Sequence, residues 1–244
     1  MVRYSGIILL HLLICLTSAG QVSKQVEKHN YKEIFGDKYA EAQSYLAQQE
    51  WITNTLIAWG ISPDFGKAIV FPEVMRYSAI RDKLELQGLF TLYVQYGTKY
   101  SNFSVGRFQM KPSFAMQVEC DVKGLPDVYR AALHSVDTSD TPGARLARVK
   151  RLESPEWQIQ YLIWFIKLMD HRYSGIYKAN ITDKLKFYAT AYNCGYTNPE
   201  QVILQNTKKR NFHTALFRCD ERYNYGDIAS TYYISTMLLR KPLQ

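Results

Sequence analysis

The chain has 244 residues and a formal charge of +8. That length supports one large core or two small ones, with a single domain the simpler reading. The basic surplus points to an acidic partner, such as an anionic polymer, a membrane face or nucleic acid. No CxxC, HExxH or His/Cys cluster with metal spacing occurs, so neither a metal nor another cofactor is expected. GxGxxG and Walker patterns are absent too, and His29, His134, His171 and His213 stand isolated.

The start, "MVRYSGIILLHLLICLTSAG", has a positive Arg3, an apolar run and small residues up to Gly20. It reads as a secretory signal peptide over 1–20, its apolar run too short to span a bilayer. The expected location is therefore the periplasm or cell envelope, which makes nucleic acid the least favoured partner. A lipid anchor on Cys15, with peripheral membrane association, is the lesser alternative, because Ile14 is bulky where a small residue precedes a lipidated cysteine. Cys120, Cys194 and Cys219 remain after processing, enough for one disulfide and one thiol, with the pair left open. Nothing in the sequence marks an oligomeric state.

Beyond a polar leader over 21–37, the apolar period is helical nearly throughout. Residues Lys38 to Ala58 form one expected helix, closed by Gly60. Ser62 caps a second, with Pro63 at its first position, and Pro72 should end or kink it. A third covers Ala79 to Tyr96, and a fourth starts at Pro112. Between Tyr100 and Phe108 a short β turn or hairpin is the only strand-capable piece. His134 to Arg145 reads as a turn-rich loop. The runs Arg145 to Arg151 and Lys208-Lys209-Arg210 read as solvated basic faces. Ser154 then caps the most apolar helix, "EWQIQYLIWFIKLMDHRY", expected to be central and buried. Asn180 or Thr182 starts another that ends at Cys194-Gly195. A short segment from Pro199 and a helix over Asp227 to Leu239 complete an all-α fold, as one domain over 38–244.

Three stretches carry candidate chemistry. In "KAIVFPEVMRYS", Glu73 ends an apolar helix, where desolvation raises a carboxyl pKa toward the range of a general acid. In "SVGRFQMKPSFA", Pro112 opens a helix and leaves Gln109 and Met110 on the turn before it, behind Gly106. A glutamine offers donors and an acceptor together, suited to sugar hydroxyl and acetamido groups. In "ATAYNCGY", Tyr192 and Asn193 arrive at a helix end just before Gly195. Each stretch alone also reads as ordinary structure: a surface glutamate, a loop-to-helix junction, a capped helix.

Together and in this order, they resemble the lysozyme-like catalytic domain of lytic transglycosylases, the family that includes goose-type lysozymes. Its motifs are a helix ending in the catalytic glutamate, then G-L-M-Q-I-x-P-x-T-A, then A-A-Y-N-x-G. "GRFQMKPSFA" matches through Gly106, Gln109, Pro112 and Ala115, and "ATAYNCG" through Ala191, Tyr192, Asn193 and Gly195. "ERYNYGDIASTYY" is similar to the family's final E-T-x-x-Y-V helix, with Tyr225 as the aromatic. The resemblance covers about Ser62 to Tyr233.

It implies a peptidoglycan-cleaving glycosidase that cuts the MurNAc–GlcNAc β-1,4 bond with a single glutamate as acid and base. Glu73 takes that role, with Tyr192 orienting it. Ser104, Gly106, Gln109, Met110, Asn193 and Tyr225 contact the glycan strand, the backbone near Gly106 lying close to a sugar ring. Val74 stands where the family usually has serine, and the interval between Glu73 and Gln109 is longer than the family's, "AIRDKLELQGLFTLYVQYG" reading as an inserted helix. If the register is otherwise, Glu85 or Glu119 is the acid. The rival readings are a degenerate relative that binds glycan or scaffolds an envelope complex, and an unrelated helical protein in which Glu73, Gln109 and Tyr192 lie far apart.

Overall fold

The computed structural model describes residues 30–77, 79–174, 180–214 and 221–240. The signal peptide, Cys15, His29, Cys219 and the side chain of Glu85 lie outside the described residues.

The fold is all-α. Its first helices are α1 (Tyr31–Phe35), α2 (Asp37–Gln48), α3 (Glu50–Ala58), α4 (Pro63–Arg76) and α5 (Ala79–Tyr96). The middle of the chain gives α6 (Pro112–Asp121), α7 (Asp127–Arg130), α8 (Pro142–Glu153) and α9 (Pro155–Arg172). The last are α10 (Ile181–Cys194), α11 (Glu200–Asn206) and α12 (Tyr225–Arg240). Among the described residues β structure is limited to isolated bridges, Val105 with Met110 and Phe212 with Tyr223. The expected turn near residues 100–108 thus takes the form of a single bridge.

Several starts follow local chemistry. Ser154 Oγ accepts from the Trp157 N–H, and Asn180 Oδ1 accepts from Thr182 and Asp183, each satisfying donors that a helix start leaves over. Pro63 and Pro112 occupy first-turn positions, where a missing N–H costs nothing. Ser62 holds the N-cap position of α4, but its hydroxyl makes no cap bond.

Four expectations change. The helix over Lys38 to Ala58 is two helices, broken at Gln49. The break frees the Leu46 carbonyl, and buried Lys67 of α4 bridges it, donating to Leu46 O and Thr53 Oγ1, each at 2.7 Å. Pro72 does not end α4, which continues to Arg76. Tertiary packing outweighs the lost hydrogen bond there: Phe71 stacks on Tyr232 at 4.1 Å and meets Tyr39 edge-on at 4.7 Å. The polar leader is shorter than expected, because Tyr31 is buried among Phe35 and Tyr223 and α1 already packs on α2.

The fourth concerns the basic run. Residues 145–151 lie on α8, and a three-residue spacing puts Arg145, Arg148 and Arg151 on one side of it. Arg145 pairs with Asp140 and donates to the carbonyls of Val94 and Gln95, holding the end of α5. Arg148 is fully buried, and Arg151 reaches Glu119. This side is interior, not a solvated face. Lys208, Lys209 and Arg210 are exposed, as expected.

The buried centre is shared by two helices. α9 is buried along Ile159 to Ile166, as its composition suggests. α4 is more enclosed, with every residue from Asp64 to Met75 buried, and it touches α2, α3, α9, α10 and α12. Gly66 permits this closeness: a Cβ there would come within 2.9 Å of Leu56 Cδ1. Any carboxylate on the last turns of α4 is therefore withdrawn from water.

Candidate active site

Glu73 is that carboxylate, 4% exposed on the penultimate turn of α4. Burial pushes its pKa up, against smaller opposing pulls from Arg76, Lys111 and Asn193. Arg76, one turn on, places Nη2 at 2.6 Å from Glu73 Oε2. That distance makes an ion pair, but the alignment is poor: neither Oε2 nor Arg76 Nε has a hydrogen-bond partner. The Phe212 ring lies against the guanidinium, 5.1 Å from its centroid. Desolvation outweighs the arginine, so the acid keeps its proton above the ordinary carboxylate range.

A cleft of about 560 Å³ opens at this carboxyl, within the size range of ligand sites. Glu73, Ser104, Gln109, Met110, Tyr192 and Asn193 all line it. Residues predicted from three separate stretches thus converge on one cleft and do not lie far apart.

The turn before α6 explains the glutamine. Gln109 has a left-handed backbone, φ 49°, a conformation costing a non-glycine residue about 1 kcal/mol. Its Nε2 donates to the Gly106 carbonyl at 2.9 Å, closing the turn from within. Met110 is 1% exposed and forms wall rather than an open contact. Its backbone pairs with Val105 in both directions, at 2.9 and 3.2 Å.

Gly106 plays a different part from the one expected. It does not line the cleft. Its φ is 67°, and a Cβ there would fall 1.7 Å from Gln158 Nε2. Gln158, buried on α9, is the hub of the turn: it donates to Val105 O and Leu152 O and accepts from the Phe108 N–H. The close neighbour of Gly106 is this amide. A Gly106→Ala protein is expected to lose about 2 kcal/mol or more by chemical denaturation, through strain and a displaced hub. A stability equal to wild type would show that the turn does not depend on this fit.

Tyr192 and Asn193 come from the end of α10, where Gly195 caps at φ 101°. Tyr192 does not hydrogen-bond Glu73; its hydroxyl donates to Phe108 O at 2.8 Å and so ties α10 to the turn. Burial, then the nearby Glu73, holds its pKa well above the usual tyrosine value, keeping it a neutral donor. Tyr225, unlike Tyr192, does not line the cleft. Its hydroxyl donates to Ile69 O at 2.9 Å, pinning α12 to α4, and its ring borders a smaller cavity of about 210 Å³ beyond Asn193 and Cys194. Tyr225 thus holds the helix that carries Glu73, and Tyr192 the turn that carries Gln109.

Sequence reasoning missed Arg76, Lys111 and Gln158. Two glutamines in the apolar run "WQIQYLIWFI", Gln158 and Gln160, are the available signal for the last, since buried amides are there to hydrogen-bond. Glu119, the alternative acid, is fully buried and held by Arg148, Arg151 and Tyr161, away from the cleft. Cys120 and Cys194 are free thiols. Among the described residues no His/Cys/Asp/Glu group is arranged to hold a metal ion, and no helix is long and apolar enough to cross a membrane. Compared with protein-family models, curated proteins and solved structures, the chain gives no match.

Proposed function

We propose that the chain is an exported peptidoglycan-cleaving glycosidase of the lytic transglycosylase type, acting on the MurNAc–GlcNAc β-1,4 bond. The observation that carries this reading is one desolvated carboxylic acid opening into a cleft, joined there by Gln109, Tyr192 and Asn193. Among the described residues Glu73 is the only carboxylate lining that cleft, which favours single-glutamate chemistry over the usual pair.

In this reading Glu73 donates its proton to the glycosidic oxygen as the C1–O bond breaks. The substrate's own N-acetyl oxygen attacks C1 and holds the positive charge. Glu73, now ionised, takes the proton of the sugar's 6-hydroxyl, whose oxygen displaces the acetamido oxygen and closes a 1,6-anhydro ring. The carboxyl ends protonated, ready for another cycle. Asn193 and Gln109 supply amides at the cleft wall, suited to the polar groups of N-acetyl sugars.

Digestion of purified peptidoglycan, followed by mass spectrometry, tests the reading. Soluble fragments lighter by one water than hydrolytic products are expected. Fragments with reducing ends would make the protein a hydrolase of lysozyme type, and no soluble fragments at all would remove the activity. One observation favours a binding-only relative: Arg76, 2.6 Å from the carboxyl, pulls against the protonated acid. That alternative predicts co-sedimentation with insoluble peptidoglycan and no release.

A further inference from the structure

The charges lining the cleft are unequal. Arg76 and Lys111 both line it, and among the described residues Glu73 is their only carboxylate counterpart there. When Glu73 carries its proton, as an acid must, the described lining holds two cations and no anion. Lys111 is exposed at the mouth and forms no salt bridge among the described residues. The Arg76 side chain is 23% exposed, with Nε buried and lacking a hydrogen-bond partner. A mostly buried guanidinium without a counter-charge is unfavourable, and a planar carboxylate is the group that matches its fork.

We infer that Arg76 and Lys111 form an anion subsite that reads a carboxylate carried by the glycan strand beside the bond to be cut. The inference rests on the glycan-cleaving reading and names its substrate class: strands bearing a free carboxylate, either the lactyl group of stem-free sugars or a carboxylate of the peptide stem. The subsite also couples to the acid. A substrate carboxylate on Arg76 draws the guanidinium's field away from Glu73, so anion binding and the protonated acid favour each other, as linkage requires.

A binding measurement separates this from catalysis. The Glu73→Gln protein, which cannot transfer the proton and leaves Arg76 without its carboxylate, is titrated with soluble stem-free strands. The same strands with lactyl carboxylates converted to methylamides form the second arm, and stem-bearing strands the third. Free-carboxylate strands are expected to bind about tenfold or more tightly than the methylamides, as one charge-assisted hydrogen-bonded pair allows. Adding Lys111→Gln should shrink that preference to a few-fold, and added salt should shrink it further. Stem-bearing strands that bind as tightly as stem-free ones assign the anion to the peptide; weaker binding assigns it to the lactyl group. Equal binding of acid, methylamide and stem-bearing strands overturns the subsite and leaves the cleavage reading, which wild-type digestion judges separately. No binding to any strand removes both.

Discussion

Glu73→Gln is expected to abolish release of soluble fragments from peptidoglycan, by about 1,000-fold or more, the range of a lost general acid. The same protein should gain stability near neutral pH. The sign follows from burial: the folded carboxyl titrates above its unfolded value. It contributes fully only below the unfolded pKa, and the contribution disappears as pH rises through the folded one. Glutamine copies the protonated form at every pH, so the stability gap between variant and wild type should widen as pH rises through that window. A gain of about 1 kcal/mol is typical when a strained functional group is removed. Thermal unfolding across the pH range, paired with fragment release, checks both halves. A variant that still releases fragments removes Glu73 as the acid. A variant less stable than wild type at neutral pH would mean that the Arg76 pair outweighs desolvation.

How far the sequence foretold this arrangement depended on the range of the forces involved. Helix starts at Pro63, Pro112, Ser154 and Asn180 were legible because a proline's φ and a side-chain cap act within one turn. The convergence of Glu73, Gln109 and Tyr192 was legible only through three motifs read together. What acts through space was not. Pro72 stays helical because of the Tyr39 and Tyr232 rings, which come from distant segments. Arg148 resembled a surface charge until α5, α6 and α9 closed around it. The crowding at Gly106 could not be read locally, since its neighbour is 52 positions away on α9. Arg76 escaped notice because a charge one turn past an acid looks like an ordinary surface pair, unless the helix is known to be enclosed.

The other large effect concerns Glu119, whose carboxylate is fully enclosed and satisfied on both oxygens. Arg148 Nε donates to Oε2 at 2.9 Å, Arg151 Nη2 to Oε1 at 2.8 Å, and the Tyr161 hydroxyl to Oε1 at 2.5 Å. Arg148 Nη1 continues the network to the Tyr93 hydroxyl at 3.1 Å. One acid on α6 thereby ties α8, α9 and, through Arg148, α5, the helices that frame the turn bearing Gln109. Truncation to alanine leaves the enclosed Arg148 guanidinium uncompensated, a loss of about 3–5 kcal/mol. For a chain of this size that corresponds to a fall in melting temperature on the order of 10 °C. Below the transition, fragment release per folded molecule should stay within a few-fold of wild type, because no atom of the network lines the cleft. Thermal denaturation and activity on the folded population separate the two roles the sequence left open for this residue. Loss of cleavage with unchanged melting would return Glu119 to candidacy as the acid, whereas loss of stability with cleavage kept makes it the charged pin that holds the floor under the site.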